Sequence, residues 1–134
     1  MRELLPRLAD PALAGVLLAS PVYMGGMSAQ AKAFLDRTVA LRRNGFLWAD
    51  KPAGALAVGN SRHGGQELTV KGILAAFLIH GMVVLGDAPE SCHFGGMAWS
   101  GGEGGIAADA YGLGTARNLG RHLGGLARRL FAGA

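Results

Sequence analysis

Two glycine-rich junctions hold the residues with the clearest potential for chemistry. The first runs from Ser20 to Ser28 and the second from Gly59 to Glu67; each follows a short apolar run and precedes an amphipathic segment. In an open α/β sheet such loops lie at the carboxyl ends of the strands, where ligands bind, and the helices that follow present free backbone N–H groups. The two junctions therefore predict one shared crevice in which main-chain donors bind a ligand.

Side chains with nucleophilic or metal-binding potential form no such pattern. Cys92 stands beside His93, but nothing orients the two as nucleophile and base, so a small loop residue is the default interpretation. His80 and His122 fall on predicted helices and are interpreted as structural. No set of histidines and carboxylates has ligand spacing, so we predict no metal site and name no catalytic residue.

Length and composition predict one globular domain over residues 1–134. The chain is 50% hydrophobic and 16% charged, with a single cysteine, which excludes an internal disulfide framework and fits a reducing cytoplasm. The apolar stretch Ala12–Ala19 is short and follows Glu3, Asp10 and Pro11, which argues against a secretory signal. No apolar run approaches the roughly 18 residues that a membrane-spanning helix needs, so no membrane partner is expected.

Positive charge raises nucleic-acid binding as an alternative. The net charge is +4, but four of the arginines lie on one predicted helix beside an apolar stripe, and no aromatic residues are interleaved for base stacking. A solvated helix face is the better interpretation, so we expect no nucleic-acid partner. The 23 glycines instead suit a ligand-binding rim made of main chain.

Hydrophobic periodicity gives the elements that must position the two junctions. The first strand is a continuous apolar run, which predicts burial on both faces. Gly72 inside a helix predicts close packing against the sheet, and Gly81 predicts a left-handed C-cap. The predicted helices are Arg2–Leu8, about four turns from the N-cap Ser28 through Leu41, Gln66–His80 and Asp109–Phe131; the strands are Leu13–Ala19, Ala53–Gly59 and Met82–Leu85; a long loop covers Gly86–Gly105.

Strands that alternate with helices predict a parallel sheet with helices on both faces. Only three strands are visible, whereas such sheets usually have about five or six. We therefore expect part of the usual architecture to be missing, most plausibly at the N-terminus.

Several motifs then resemble one family. Ser20-Pro21-Val22-Tyr23 with Gly25, the run Ser28–Arg37, Gly64-Gly65-Gln66-Glu67 and His93-Phe94-Gly95-Gly96 occur in the order found in flavodoxin-like FMN reductases, which include iron–sulfur flavoproteins and NAD(P)H:quinone oxidoreductases. The resemblance covers about Ala12 to Leu130. It implies a flavodoxin-like three-layer α/β sandwich with a parallel sheet, N-terminally incomplete, that contains strands 3 to 5 of the usual fold.

The resemblance also implies FMN as cofactor, with backbone donors and a flat apolar contact around the flavin ring. Without it, Ser20-Pro21 is a strand terminator and Ser28 only an N-cap. His63 is either a donor to a flavin carbonyl or a solvated loop residue. His93 resembles a histidine that family members hold near the flavin face or a neighbouring subunit, or it is an ordinary loop histidine. The implied cofactor-binding residues are Ser20, Pro21, Val22, Tyr23, Met24, Gly25, Asn60, Ser61, His63, Gly64 and Gly65.

The departure from the family lies upstream. The phosphate loop of a flavodoxin-like domain, its first helix and its second strand do not precede Met1, and neither do the cysteines of cluster-binding relatives, so no iron–sulfur site is inferred. Of a truncated chain, a half-domain completed by another polypeptide and a degenerate protein, truncation is favoured. The first strand would then keep an unpaired apolar edge, so we expect the chain to be unstable or oligomeric. The resemblance implies that the oligomer is a homodimer or homotetramer.

The function that the resemblance implies is FMN-dependent oxidoreduction in the cytoplasm. Electrons would pass from NAD(P)H through the flavin to a small-molecule acceptor such as a quinone or free flavin. The alternatives are a flavodoxin-like electron carrier or interaction module without turnover, and an inactive fragment. A nucleotide-phosphate loop at Gly59–Gly65 is disfavoured, because both the Walker lysine pattern and the G-x-G-x-x-G spacing are missing.

Overall fold

The structure, a computed structural model, describes residues 3–131. One mostly parallel sheet lies between helices on both faces, which confirms the predicted fold class. None of the helices within these residues is long and apolar enough to cross a membrane. The elements in chain order are α1 (Leu5–Leu8), β1 (Val16–Tyr23), β2 (Gly26–Met27), α2 (Ala29–Arg37), α3 (Val39–Arg43), β3 (Pro52–Gly59), α4 (Gln66–Ile79), β4 (Val83–Leu85), β5 (Gly96–Trp99) and α5 (Ala110–Phe131).

The sheet has β3 at its centre. β1 runs parallel to one edge of β3, from Val16 opposite Ala53 to Pro21 opposite Val58. Because β1 occupies that edge, β4 and β5 share the other, β4 along the first half of β3 and β5 along the second. The two short strands thus act as one interrupted strand, from which residues 86–95 loop out. β1, β3 and β5 end at the same rim of the sheet, whereas β4 ends beside Gly54, midway along β3.

Two boundary predictions were wrong. The first strand does not end at Ala19 but continues to Tyr23, where β2 folds back antiparallel to it. Pro21 is tolerated because β1 is an edge strand over residues 16–21 of the described chain, and a missing N–H on an open edge costs no ladder bond. The predicted loop Gly86–Gly105 contains β5, where glycine allows close approach to β3: a Cβ on Gly96 would lie 3.0 Å from the Leu56 side chain.

The predicted four-turn helix is interrupted at Thr38. Its hydroxyl donates to the carbonyl of Leu35 over 2.6 Å and competes with the regular helical pattern, so α2 ends before Thr38 and α3 begins after it. Ser28 is confirmed as the N-cap of α2, since its Oγ accepts from the N–H of Ala31 over 3.2 Å. Arg2 of the predicted first helix lies outside the described residues.

Small residues on β3 let helices pack closely on both of its faces. On one face, Ala53, Ala55 and Ala57 are fully buried in the core that also contains Ile73 and Phe77 of α4. On the other, a Cβ on Gly54 would lie 3.0 Å from Leu119 of α5. Gly72 lies close to the sheet through β2, since a Cβ there would lie 3.3 Å from the Met27 side chain, although Gly72 itself is exposed.

β1 is not buried on both faces, contrary to the prediction. Its residues alternate, with Ser20 buried while Leu17 and Tyr23 are 43% and 63% exposed. The register places Leu17 beside Gly54, on the sheet face that α5 covers over β3, β4 and β5. Within residues 3–131, no helix extends that cover to β1, so this face of β1 and its outer edge are open.

Candidate functional site

The first junction is a tight turn closed by two serines. The Ser20 hydroxyl is buried, accepts from the N–H of Ser28 over 2.9 Å and donates to the carbonyl of Pro21 over 2.8 Å. Tyr23 and Met24 form the exposed tip, and both Met24 and Gly25 have left-handed backbone, with φ of 50° and 77°. Ser20 therefore holds the turn together, and the surface offered to a ligand is apolar side chain and main chain.

The second junction is braced by Gln66, a residue that the sequence analysis did not include in the site. Its Oε1 accepts from the N–H of Gly64 over 3.0 Å, and its Nε2 donates to the carbonyl of Ser61 over 2.7 Å. Gly59 leaves room for this brace, because a Cβ there would lie 2.5 Å from the Gln66 amide nitrogen and displace the side chain. Asn60, which opens the loop, points its side chain to solvent, as do Ser61 and His63.

The helix after this loop begins without a side-chain cap. Gly65 is the N-cap of α4, with φ of 109°, and no side chain of the described residues bonds to the first turn. The first N–H groups of an α-helix have no partner within the helix, and they carry the positive end of its dipole. The start of α4 therefore offers main-chain donors to an electron-rich ligand.

The two junctions touch each other. A Cβ on Gly65 would lie only 2.7 Å from the Cα of Gly25 and 2.9 Å from its carbonyl oxygen. Only glycine at position 65 allows this approach, both for lack of space and because its φ is left-handed. The structure thus brings Gly25 of the first predicted set against Gly65 of the second.

A cavity of about 620 Å³ opens beside the second junction. Of the predicted residues, His63 and Gly65 line it, together with Arg62; the others lie outside its lining. The opposite wall comes from residues distant in sequence, namely His93, Trp99 and Tyr111.

Trp99 connects β5 to the second junction. Its backbone N–H donates to Asp109 over 2.7 Å, and its indole N–H donates to the carbonyl of Asn60 over 2.8 Å. The Arg62 guanidinium lies 4.0 Å from the centre of the indole ring, within cation–π range. A Cβ on Gly102 would lie 2.7 Å from that ring. The tryptophan is therefore held on several sides and forms a rigid wall.

His93, whose role the sequence left open, lines this cavity. Its ring lies between the buried carboxylate of Asp87 and the hydroxyl of Tyr111. Sequence reasoning named neither neighbour. Asp87 could be noted only as an acidic residue just after a strand, and no spacing rule relates it to Tyr111, because tertiary folding alone brings them together.

A second cavity, of about 480 Å³, lies between α4 and the α2–α3 pair. Its lining is mostly apolar, and it includes His80, whose pKa is lowered by burial and, to a smaller extent, by the charge of Arg42. Of the residues in the two junctions, only Met27 of the first lines this cavity. Within residues 3–131 no three histidine, cysteine or carboxylate side chains come together as a metal site.

Comparisons with known proteins agree with this geometry. The model of the NADPH-dependent FMN reductase family matches residues 1–93. An iron–sulfur flavoprotein of Methanocaldococcus jannaschii is 50% identical over 107 residues, which are 80% of this chain and 55% of that protein. An NAD(P)H dehydrogenase (quinone) of Solidesulfovibrio magneticus is 30% identical over 129 residues, 87% of this chain and 63% of that protein. The chain thus spans between half and two thirds of these relatives.

A solved structure shows the same architecture. The crystal structure of the flavodoxin, WrbA-like protein from Agrobacterium tumefaciens matches with a TM-score of 0.73 and 25% identity, over 89% of this chain and 69% of that one. FMN is the cofactor that the family name and the flavoprotein relatives support, and NAD(P)H as electron donor fits the family name. With its family model, relatives and fold in agreement, the chain belongs to the NADPH-dependent FMN reductase family.

Proposed function

We propose that this chain binds FMN in the crevice where the two junctions meet. One observation carries the proposal: the uncapped N-terminus of α4 lies where Gly65 packs on Gly25. A flavin ring needs N–H donors for its ring nitrogens and carbonyl oxygens, together with a flat apolar contact. The start of α4 and the loop Asn60–Gly65 supply donors, and the exposed Tyr23 and Met24 supply apolar surface. The residues present therefore fit the ring.

When bound, FMN would supply hydride chemistry between NAD(P)H and an acceptor. The residues of this chain would hold and orient the ring, while the cavity lined by Arg62 and Trp99 leaves room beside it for a second molecule. Arg62 adds a positive charge there, which favours an anionic or electron-rich partner. The acceptor class that we propose is a small molecule such as a quinone, supported by the name of the Solidesulfovibrio magneticus relative.

The direct test is a titration of the purified 134-residue chain with FMN, followed by flavin fluorescence. We expect saturable one-to-one binding with a dissociation constant of about 10 μM or lower. Riboflavin, titrated in parallel, measures what the ring contributes without the phosphate. Gly65→Ala should weaken FMN binding, while Gly120→Ala, a glycine change on an exposed part of α5, should not. Failure to saturate below about 1 mM would contradict the proposal.

Turnover needs a separate measurement. Anaerobic mixing of the FMN-loaded chain with NADH or NADPH should bleach the visible flavin absorbance, and added quinone should restore it. Binding without reduction by either nucleotide would favour the alternative of an electron carrier without turnover of its own.

We also propose that the chain associates with further copies as a homodimer or homotetramer. The support is exposed apolar surface on two elements: Leu17 on β1, and Leu78 and Ile79 at the end of α4, which are 59% and 64% exposed. Exposed apolar surface can mark an interaction site. Light scattering after size-exclusion chromatography should give a mass of at least twice the 13.8 kDa of one chain; a monomer with a sharp, concentration-independent thermal transition would contradict this proposal.

A further inference from the structure

A buried carboxylate, a histidine and a tyrosine form a continuous hydrogen-bonded chain beside the proposed flavin crevice. His93 Nδ1 lies 3.4 Å from Asp87 Oδ2, and His93 Nε2 lies 3.3 Å from the hydroxyl of Tyr111. Asp87 is fully buried, whereas Tyr111 is 67% exposed. The three residues come from the end of β4, the loop before β5 and the first turn of α5, and together they run from the interior to the surface.

Asp87 fixes the position of His93 through both carboxylate oxygens. Oδ1 accepts from the backbone N–H of His93, while Oδ2 faces the imidazole ring. The backbone N–H of Asp87 in turn donates to the carbonyl of His93 over 3.3 Å, so the same two residues close the loop. The imidazole packs edge-on against Tyr111, with ring centres 5.8 Å apart. The histidine is thus presented in one orientation, with Nε2 directed to the tyrosine.

Tyr111, at the outer end of the hydrogen-bonded Asp87–His93–Tyr111 chain, faces the cavity already described. His93 and Tyr111 line it opposite Arg62, His63 and Gly65 of the second junction. Asp109, another acid near this wall, already accepts two backbone hydrogen bonds. One of its carboxylate oxygens accepts from the N–H of Trp99 and the other from the N–H of Gly112. Glu67 also lines the cavity, on its exposed side. Tyr111 and His93 therefore form the linked proton-bearing pair on this wall.

We propose that the Asp87–His93–Tyr111 chain delivers a proton to an acceptor that is reduced in this cavity. This inference rests on the proposed function, and it narrows the acceptor to one that takes up protons as it takes up electrons, such as a quinone. The acceptor gains a hydride equivalent, that is two electrons and one proton, and needs a second proton on oxygen to become a hydroquinone. An O–H or N–H group at a reacting oxygen typically contributes 10²–10⁴-fold in rate.

Each proton in this step has a donor and an acceptor. Tyr111 transfers its hydroxyl proton to the acceptor oxygen and takes the Nε2 proton of a protonated His93. The neutral imidazole that remains keeps its Nδ1–H on the Asp87 carboxylate, and solvent returns one proton to Nε2. Asp87 accepts from the imidazole Nδ1–H throughout, so it is a positioning residue that holds the histidine in place.

Paired acceptors provide the kinetic test. Ferricyanide takes one electron and needs no proton, whereas a water-soluble benzoquinone needs both. We expect His93→Gln and Tyr111→Phe to lower the ratio of quinone to ferricyanide reduction rates at least about tenfold, with the dissociation constant for FMN changed less than twofold. Both variants keep the backbone bonds that close the loop. An unchanged ratio in FMN-loaded variants would overturn the proton-delivery role while leaving the proposed function intact.

A second readout needs neither FMN nor turnover. Nitrogen-15 NMR of the imidazole should show that neutral His93 carries its proton on Nδ1, where Asp87 accepts it. Asp87→Asn should change that tautomer balance, with the fold preserved by circular dichroism. An unchanged ring spectrum would overturn the role of Asp87. The FMN titration separates failure of the proposed function from failure of the proton-delivery role. If the wild-type chain does not bind FMN, both fail. If it binds FMN but the variants keep the wild-type ratio of rates, only the proton-delivery role fails.

Discussion

The two ends of the sheet use their polar groups in opposite ways. At the amino ends of the strands, which we call the base, Trp48 Nε1 donates to the carbonyl of Leu8 over 2.8 Å, and Lys51 Nζ donates to the carbonyl of Leu13 over 2.6 Å. At the carboxyl ends, the rim, the start of α4 is uncapped and Asn60, Ser61 and His63 of the second junction are exposed. The base uses these side-chain donors for the fold, whereas the rim leaves the main-chain donors at the start of α4 available for a ligand.

This contrast predicts that changes at the base lower stability with little effect on flavin affinity, whereas changes at the rim lower flavin affinity. Trp48 gives the largest expected effect, because its side chain is fully buried and packs against Phe77. Trp48→Ala should lower the free energy of unfolding by about 3–5 kcal/mol. Urea denaturation measures it, and Trp48→Phe, which keeps an aromatic ring, should lose less. Equal losses for the two variants would mean that packing at the base is not what stabilises it.

The next largest expected effect is on FMN affinity, and it comes from Gly65→Ala at the rim. The new methyl group would meet the main chain of Gly25, and alanine would have to adopt φ of 109°. We expect FMN affinity to fall by about thirtyfold or more, equivalent to about 2 kcal/mol. Isothermal titration calorimetry measures it on samples shown to be folded. Wild-type affinity in Gly65→Ala would show that the contact between the two junctions does not shape the site.

His80 makes the folding stability of the chain depend on pH. The Thr38 hydroxyl gives its one hydrogen to Leu35, so His80 Nε2 must donate to Thr38 over 2.8 Å. His80 Nδ1 is left as an unprotonated, buried nitrogen with no partner among residues 3–131. Burial, then Arg42, lowers the pKa of His80 below its ordinary value of 6.5. Below pH 6.5 the unfolded chain therefore binds a proton that the folded chain does not, and stability falls as the pH falls.

The expected size of this His80 contribution is at most about 1.4 kcal/mol for each pH unit. Urea denaturation from pH 7.5 to 5.0 measures it, and the difference between wild type and His80→Asn isolates it from the other titrating groups. A wild-type curve parallel to that of His80→Asn would show that His80 titrates alike in the folded and unfolded chains.

The smallest expected effect is a gain in stability from Gly120→Ala. Gly120 is exposed in the middle of α5, and a Cβ there would meet nothing within 4 Å. Gly120→Ala should raise the free energy of unfolding by about 0.5–1 kcal/mol, because glycine loses more conformational freedom in a helix. Differential scanning calorimetry tests this, and a lowered melting temperature would show that α5 depends on glycine there for packing.

Local signals in the sequence predicted much of the fold. The N-cap at Ser28, the span of α4 and the left-handed turn at Gly81 follow from the chemistry of single residues and from helical periodicity, and all three are confirmed. β5 was missed because glycines that permit close strand pairing look like loop residues in a sequence. The helix break at Thr38 was missed because threonine also occurs inside regular helices, and the contact of its hydroxyl with His80 spans 42 residues.

For the candidate site, the sequence located the two junctions but not the wall facing them. Gly25 and Gly65 could be found from turn chemistry and resemblance. Trp99 and the Asp87–His93–Tyr111 chain could not, because their roles depend on distances that only the folded sheet sets. Their presence beside the second junction is the main addition that the structure makes.

The central claim is that the flavin ring lies at the rim between the two junctions. The most direct measurement is a two-dimensional ¹⁵N–¹H NMR titration of the chain with FMN. The account predicts saturable shifts concentrated in the backbone amides of residues 23–25 and 60–68, with those at the base, such as Trp48 and Gly81, unchanged. Shifts centred on the cavity between α4 and the α2–α3 pair, with the amides of the rim unaffected, would contradict it.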